Sequence, residues 1–95
     1  MTPFLALLSA YYLCDAAAAL HPIPPATAQA CAAHYEAVKA TFLEEGETGP
    51  AARTEAYRRF KAWEAANADL VDHLRDEARE AAAEFLDWAL PGEPA

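Results

Sequence analysis

Two segments rich in proline and glycine divide the chain into three stretches of helix-forming residues. The segment 21–25 (HPIPP) cannot continue a helix, because proline lacks a backbone N–H and restricts the residue before it. The segment 46–50 (GETGP) is the second break, and its proline suits the first turn of a following helix. No stretch alternates β-branched or aromatic residues with polar ones, as a strand would require. The sequence therefore predicts an all-α fold.

These breaks predict helices at about residues 3–20, 26–45 and 50–90. The chain has 95 residues, which is too short for two independent cores, so it is expected to form a single domain, 1–95. In the third stretch the apolar positions keep one heptad phase, which favours one long C-terminal helix. The alternative is a break near Asn67, with Asp69 as an N-cap, that would give a four-helix bundle.

The first two helices are expected to form an antiparallel hairpin. If the chain folds back at Ile23, the levels along the two helices pair residues whose numbers sum to 45 or 46. Tyr11 then meets Tyr35, and Cys14 meets Cys31. This register makes a disulfide geometrically reasonable, and a pair of small buried free thiols is the equal alternative.

A partner is expected because the hairpin is too short to cover the predicted long helix. A helix of 18 residues is about 27 Å long and one of 40 residues about 60 Å, at 1.5 Å per residue. An uncovered apolar stripe of that size is rarely left in water, so a second copy or another protein should cover it. The predicted interface comprises apolar positions with a basic rim: Leu70, Val71, Leu74, Phe85, Leu86 and Trp88, with Arg58, Arg59 and Lys61.

The charge distribution argues against direct binding to nucleic acid. The formal net charge is −8, and residues 64–95 carry nine acids against two bases. The bases at the start of the third helix oppose the helix dipole. Either they pair with glutamates across the preceding turn, or they meet the acidic end of a second copy. The acidic positions form a candidate face that could imitate a nucleic-acid backbone: Asp69, Asp72, Asp76, Glu80, Glu84 and Asp87.

No arrangement of residues in the sequence predicts catalysis. Asp69, His73 and Glu77 share one helix face, but a solvated acidic surface explains them better than a metal site. His34 lies one turn from Cys31, yet a nucleophilic pair also needs an orienting group and a pocket. We therefore expect a protein that is not an enzyme and uses no metal or cofactor.

The N-terminal sequence bears on localisation. Residues 1–14 resemble the apolar part of a signal peptide but lack the preceding basic residue, so a buried helix and a cytoplasmic protein are favoured. The predicted function is an acidic protein-interaction module: an adaptor, assembly factor or inhibitor that acts through the long helix. Two alternatives stay open: a nucleic-acid-mimicking inhibitor of a nucleic-acid-binding protein, and an exported or membrane-anchored hairpin held by a disulfide.

Overall fold

The computed structural model describes residues 2–89, with the side chains of residues 2–84. The described chain contains four helices and no strand: α1 (Pro3–Leu20), α2 (Pro25–Ala40), α3 (Gly49–Ala66) and α4 (Ala68–Ala89). The predicted all-α class is confirmed.

The ends of the first two helices follow from local hydrogen bonds. The Thr2 hydroxyl accepts a hydrogen bond from the Leu5 N–H at 3.1 Å and caps α1. Helix α2 ends at Ala40, so the predicted end near residue 45 is wrong. The reason lies at Thr41, whose N–H is shared between the carbonyls of Ala37 and Val38 while its hydroxyl also donates to Ala37. These bonds tighten the last turn and end the helix.

Helices α1 and α2 form the predicted antiparallel hairpin in the predicted register. The Tyr11 and Tyr35 rings stack with their centroids 4.9 Å apart. One turn further along, the Cα atoms of Cys14 and Cys31 are 5.6 Å apart. The hairpin prediction is therefore confirmed at the level of single residue pairs.

The predicted helix over residues 50–90 is interrupted at Asn67, so the alternative with a break at this position is the form observed. Asp69 lies within the first turn of α4, so its predicted role as the N-cap is wrong. Asn67 has φ −122° and ψ 39°, and its side-chain amide donates to the Trp63 carbonyl at 2.9 Å. Its N–H also donates to Trp63, at 3.0 Å, and its carbonyl accepts from Val71 at 2.9 Å. The backbone angles of Asn67 change the direction of the chain between α3 and α4. Hydrogen bonds continue on both sides of this residue, so α4 does not fold back onto α3.

The core lies where α1 passes between α2 and α4. Helix α1 is antiparallel to α2 and parallel to α4, since Asp15 contacts Arg75 and Leu20 lines a cavity together with Ala83. The core comprises buried residues from all four helices: Leu8, Tyr12, Val38, Phe60, Val71, Leu74 and Ala78.

Candidate functional site

The described part of the predicted apolar interface on α4 lies inside the molecule or at the edge of its core. Val71 and Leu74 are 7% and 6% exposed and belong to the core, and Leu70 is partly buried beside it. The premise that the hairpin leaves this part of the helix uncovered is wrong, because the bend at Asn67 brings α4 alongside α1. The side chains of Phe85, Leu86 and Trp88 lie outside the described residues.

The predicted basic rim is occupied by contacts within the chain. Arg59 donates to the Glu47 carboxylate and to the Phe42 carbonyl, both at 2.8 Å. This bond and a second one from the Glu44 N–H lower the pKa of Glu47 from 4.5 to about 2. Of the two explanations for the bases at the start of α3, pairing with glutamates across the turn therefore holds for Arg59.

The two other residues of the predicted rim also have local partners. Arg58 is exposed and lies 3.4 Å from Glu55, one turn earlier in α3. Lys61 donates to Glu64 at 2.7 Å. Both side chains therefore have an acidic partner within the same chain.

Glu64 is a buried acid that the sequence reasoning missed. It is 8% exposed, and its carboxylate accepts hydrogen bonds from the Tyr12 hydroxyl at 2.5 Å and from Lys61. Arg75 approaches the same carboxylate at 3.4 Å and lies over the Tyr12 ring, 4.1 Å from its centroid. The missed signal is spacing: Ala56, Phe60 and Glu64 lie four residues apart and are all buried.

Hydrogen bonding keeps Glu64 ionised despite its burial. Burial alone would raise its pKa, but the bonds from Lys61 and Tyr12 and the charge of Arg75 outweigh that effect and lower it below 4.5. Burial and the bond to Glu64 raise the pKa of Tyr12 well above 10. Both groups are thus held in one protonation state near neutral pH, which suits a structural network that joins three helices.

The predicted acidic face of α4 is exposed over its described length. Asp69, Asp72, Glu80 and Glu84 are all exposed, and Asp76 is exposed but pairs with Arg79. Asp87 has its side chain outside the described residues. His73 lies 3.3 Å from Glu77, and the described residues contain no group of three or more ligands suited to a metal ion.

The two cysteines lie at disulfide-bonding distance, and they are the chain's only ones. Their Cα separation falls within the range that disulfides adopt. Formation of this bond would remove Cys31 as a nucleophile, so a Cys31–His34 pair would require the reduced protein.

The side of α1 that faces away from the core is apolar, yet it is exposed to solvent. By length and composition α1 could span a membrane, although core helices and signal sequences satisfy the same test. Only Leu8 and Tyr12 of its 18 residues are buried, whereas Leu13 is 41% and Leu20 is 53% exposed. The helical repeat places one set of apolar residues on this side, which we call the outer α1 stripe: Ala6, Ala10, Leu13, Ala17 and Leu20.

Beside the outer α1 stripe, a groove of about 230 Å³ runs between α1 and α4. It is lined mainly by small and apolar side chains: Ser9, Leu13, Leu74, Glu77, Ala78 and Ala81. The Ser9 hydroxyl is buried and has no hydrogen-bond partner in the described structure. A separate cavity of about 220 Å³ opens on the other side of the α1–α4 contact, with Asp15, Arg75 and Arg79 in its wall.

Comparison of the chain with protein-family models, curated proteins and solved structures gave no match. We therefore infer a function from the surface and contacts of the described residues alone.

Proposed function

We propose that this protein is a protein-interaction module that binds its partner through the outer α1 stripe and the groove beside it. The observation that carries this proposal is the mismatch between the composition of α1 and its burial. Helix α1 has one charged residue, Asp15, and yet most of its side chains keep contact with solvent. A helix with this composition is normally covered on most sides, since burial of apolar surface stabilises by about 25 cal/mol per Å².

The charge distribution supports the same surface. Between Asp15 and Glu36 no aspartate, glutamate, lysine or arginine occurs, and the only histidines are His21 and His34, although the whole chain has a net charge of −8 with histidine counted as neutral. The end of the α1–α2 hairpin is therefore an uncharged region on an acidic molecule. Interface centres are depleted in charged residues and surrounded by polar ones, so this pattern is typical of a contact surface.

The cysteine pair supports a preformed binding surface. A bond between Cys14 and Cys31 would hold the uncharged half of α2 against α1, where few buried residues do so. A rigid surface binds with less loss of conformational entropy than a flexible one. Such bonds persist in oxidising compartments, so this proposal favours an extracytoplasmic location over the cytoplasmic one expected from the N-terminal sequence.

Site-specific photo-crosslinking in the cells that produce the protein tests this proposal. A photoreactive residue is placed at Leu13, and a matched control is placed at the exposed Arg58 on α3. We expect a discrete adduct from position 13 and none from position 58. Its mass distinguishes a second copy of the chain from another protein. Equal crosslinking at both positions, or none at position 13, would contradict the proposal.

A second candidate function is supported by the acidic face of α4. Four of its carboxylates are exposed and have no basic partner within 4 Å in the described structure: Asp69, Asp72, Glu80 and Glu84. Such a face could occupy the basic site of a nucleic-acid-binding protein. Binding by this face should weaken steeply with added salt, whereas binding by the outer α1 stripe should change little. Measurement of partner binding across a salt series separates the two functions.

A further inference from the structure

We propose that the partner of this groove is an amphipathic helix with basic residues along one edge. This inference rests on the proposed function, because it names the kind of molecule that the groove beside α1 would bind. The groove is the one lined by Ser9, Leu13, Leu74, Glu77, Ala78 and Ala81.

The shape of the groove suits a helix. Ser9, Ala78 and Ala81 are small, so the backbone of an incoming helix can approach α1 and α4 closely. Helices pack with their axes 8–10 Å apart, and small side chains at the contact favour the lower end of that range. Leu13 is partly exposed at the edge of the groove and offers an apolar contact to the incoming side chains.

The charged residues of α4 differ between the two sides of the α1–α4 contact. Glu77 lines the groove, and the helical repeat places Glu84, seven residues later, on the same side of α4. The two bases of α4, Arg75 and Arg79, line the cavity on the opposite side of the α1–α4 contact. The α4 edge of the groove is therefore acidic in the described structure, and lysine or arginine on the partner would complement it.

The contacts already made by Glu77 do not close the groove. Its carboxylate lies 3.3 Å from the His73 imidazole, and both side chains are more than half exposed. An exposed pair of this kind contributes little to stability, so a lysine of the partner can replace the histidine at low cost.

Ser9 provides an observation independent of charge. Its hydroxyl is buried beside the groove without a partner, and an unsatisfied buried hydroxyl is unfavourable. If the groove widens on binding so that this hydroxyl becomes accessible, a polar side chain of the bound helix could supply the missing hydrogen bond.

A displayed library of helical peptides tests this inference directly. Leucine is fixed at positions that repeat every three or four residues, and the flanking positions are randomised among lysine, arginine, glutamate, glutamine and serine. The full-length, oxidised protein is the target. We expect the selected peptides to be enriched in lysine and arginine on one flank. Enrichment in glutamate, no enrichment, or no binders at all would overturn the inference.

Variants of the protein locate the binding site of a selected peptide. Leu13→Asp should weaken binding at least tenfold, whereas Tyr57→Asp, at an exposed aromatic residue on α3 that lies outside the groove, should not. Glu77→Gln should weaken binding about twofold to fivefold at low salt and little at high salt. Glu55→Gln on α3 is the control with the same change in net charge. Circular dichroism confirms that each variant folds. Equal effects of the groove and control substitutions would contradict the proposed site.

The two proposals can fail separately. If position 13 crosslinks to a partner but the library yields no basic peptides, the interaction module stands and the partner class is wrong. If the adduct at position 13 is a second copy of the chain, the occupant is another molecule of this protein and the inference is overturned. If neither crosslinking nor selection succeeds, both proposals fall.

Discussion

Substitution of Tyr12 by phenylalanine tests whether the buried network of Glu64 stabilises the fold. The change removes one hydroxyl and keeps the ring, so the packing of Arg75 over that ring is retained. The lost interaction is the hydrogen bond that Tyr12 donates to the Glu64 carboxylate at 2.5 Å. Tyr12 is almost fully buried, so water cannot readily take the place of the hydroxyl.

The expected loss of stability is about 1.5–3 kcal/mol, which is typical of a hydrogen bond to a charged group. A domain of this size has a free energy of unfolding of roughly 5–14 kcal/mol, so this single atom would contribute a substantial share. Urea unfolding followed by circular dichroism measures the loss. With a slope of about 1–3 kcal/mol per molar urea, the midpoint should fall by about 1 M.

The pH dependence provides a second readout of the same bond. The lowered pKa of Glu64 means that the carboxylate stabilises the fold above pH 4.5, and that this contribution is lost as the pH falls through its folded-state value. Tyr12→Phe removes one of the groups that lower this pKa. The difference in unfolding free energy between wild type and variant should therefore shrink as the pH is lowered below 4.5.

At high pH the unfolding free energy changes with pH in the opposite direction. The raised pKa of Tyr12 favours the fold while the hydroxyl stays protonated, and this contribution declines as the pH rises above 10, the ordinary value for tyrosine. The phenylalanine variant lacks that decline. A loss below about 0.5 kcal/mol at neutral pH, which is within the effect of ordinary surface substitutions, would refute the reasoning. So would a loss that does not change between neutral and acidic pH.

Three further predictions concern other parts of the fold. Cys14 and Cys31 are 17 residues apart, and a bond between them should make the oxidised protein about 3 kcal/mol more stable than the double serine variant. Reduction of that bond should raise the intact mass by two hydrogens. Phe60→Ala should cost about 3–5 kcal/mol, because this ring is fully buried, and unfolding within 1 kcal/mol of wild type would contradict its place in the core. Arg59→Gln should return the pKa of Glu47 from about 2 toward 4.5, as followed by NMR titration, and an unchanged pKa would show that the pair does not form.

Local patterns were sufficient to predict α1 and the register of the α1–α2 hairpin, although not the end of α2. The segment 21–25 forces a turn, and the equal spacing of aromatic residues on either side fixes the register in which Tyr11 meets Tyr35. Thr2 caps α1 as its position before Pro3 suggests. These features depend on residues that are near each other along the chain, so their spacing carries the information.

The arrangement of the second half depends on interactions between distant residues. The heptad phase continues through Asn67, yet the backbone bends there because its side-chain amide competes for the Trp63 carbonyl. The bend determines which face of α4 is covered by α1. As a result, Val71 and Leu74, which were predicted to lie on the surface, are in the core. The burial of Glu64 likewise depends on Tyr12, which lies 52 residues earlier and gives no local signal.

The parallel packing of α1 on α4 has a consequence for biosynthesis. Helix α1 leaves the ribosome well before α4, against which it packs, as the 60-residue separation of Asp15 and Arg75 illustrates. Domains assemble during synthesis from the N-terminus, and contacts between residues close in sequence form before distant ones. The α1–α2 hairpin is therefore complete, with its cysteines in reach of each other, while one apolar side of α1 still lacks α4. During that interval the nascent chain exposes more apolar surface than the finished protein, and chaperones or membranes have their best opportunity to bind it.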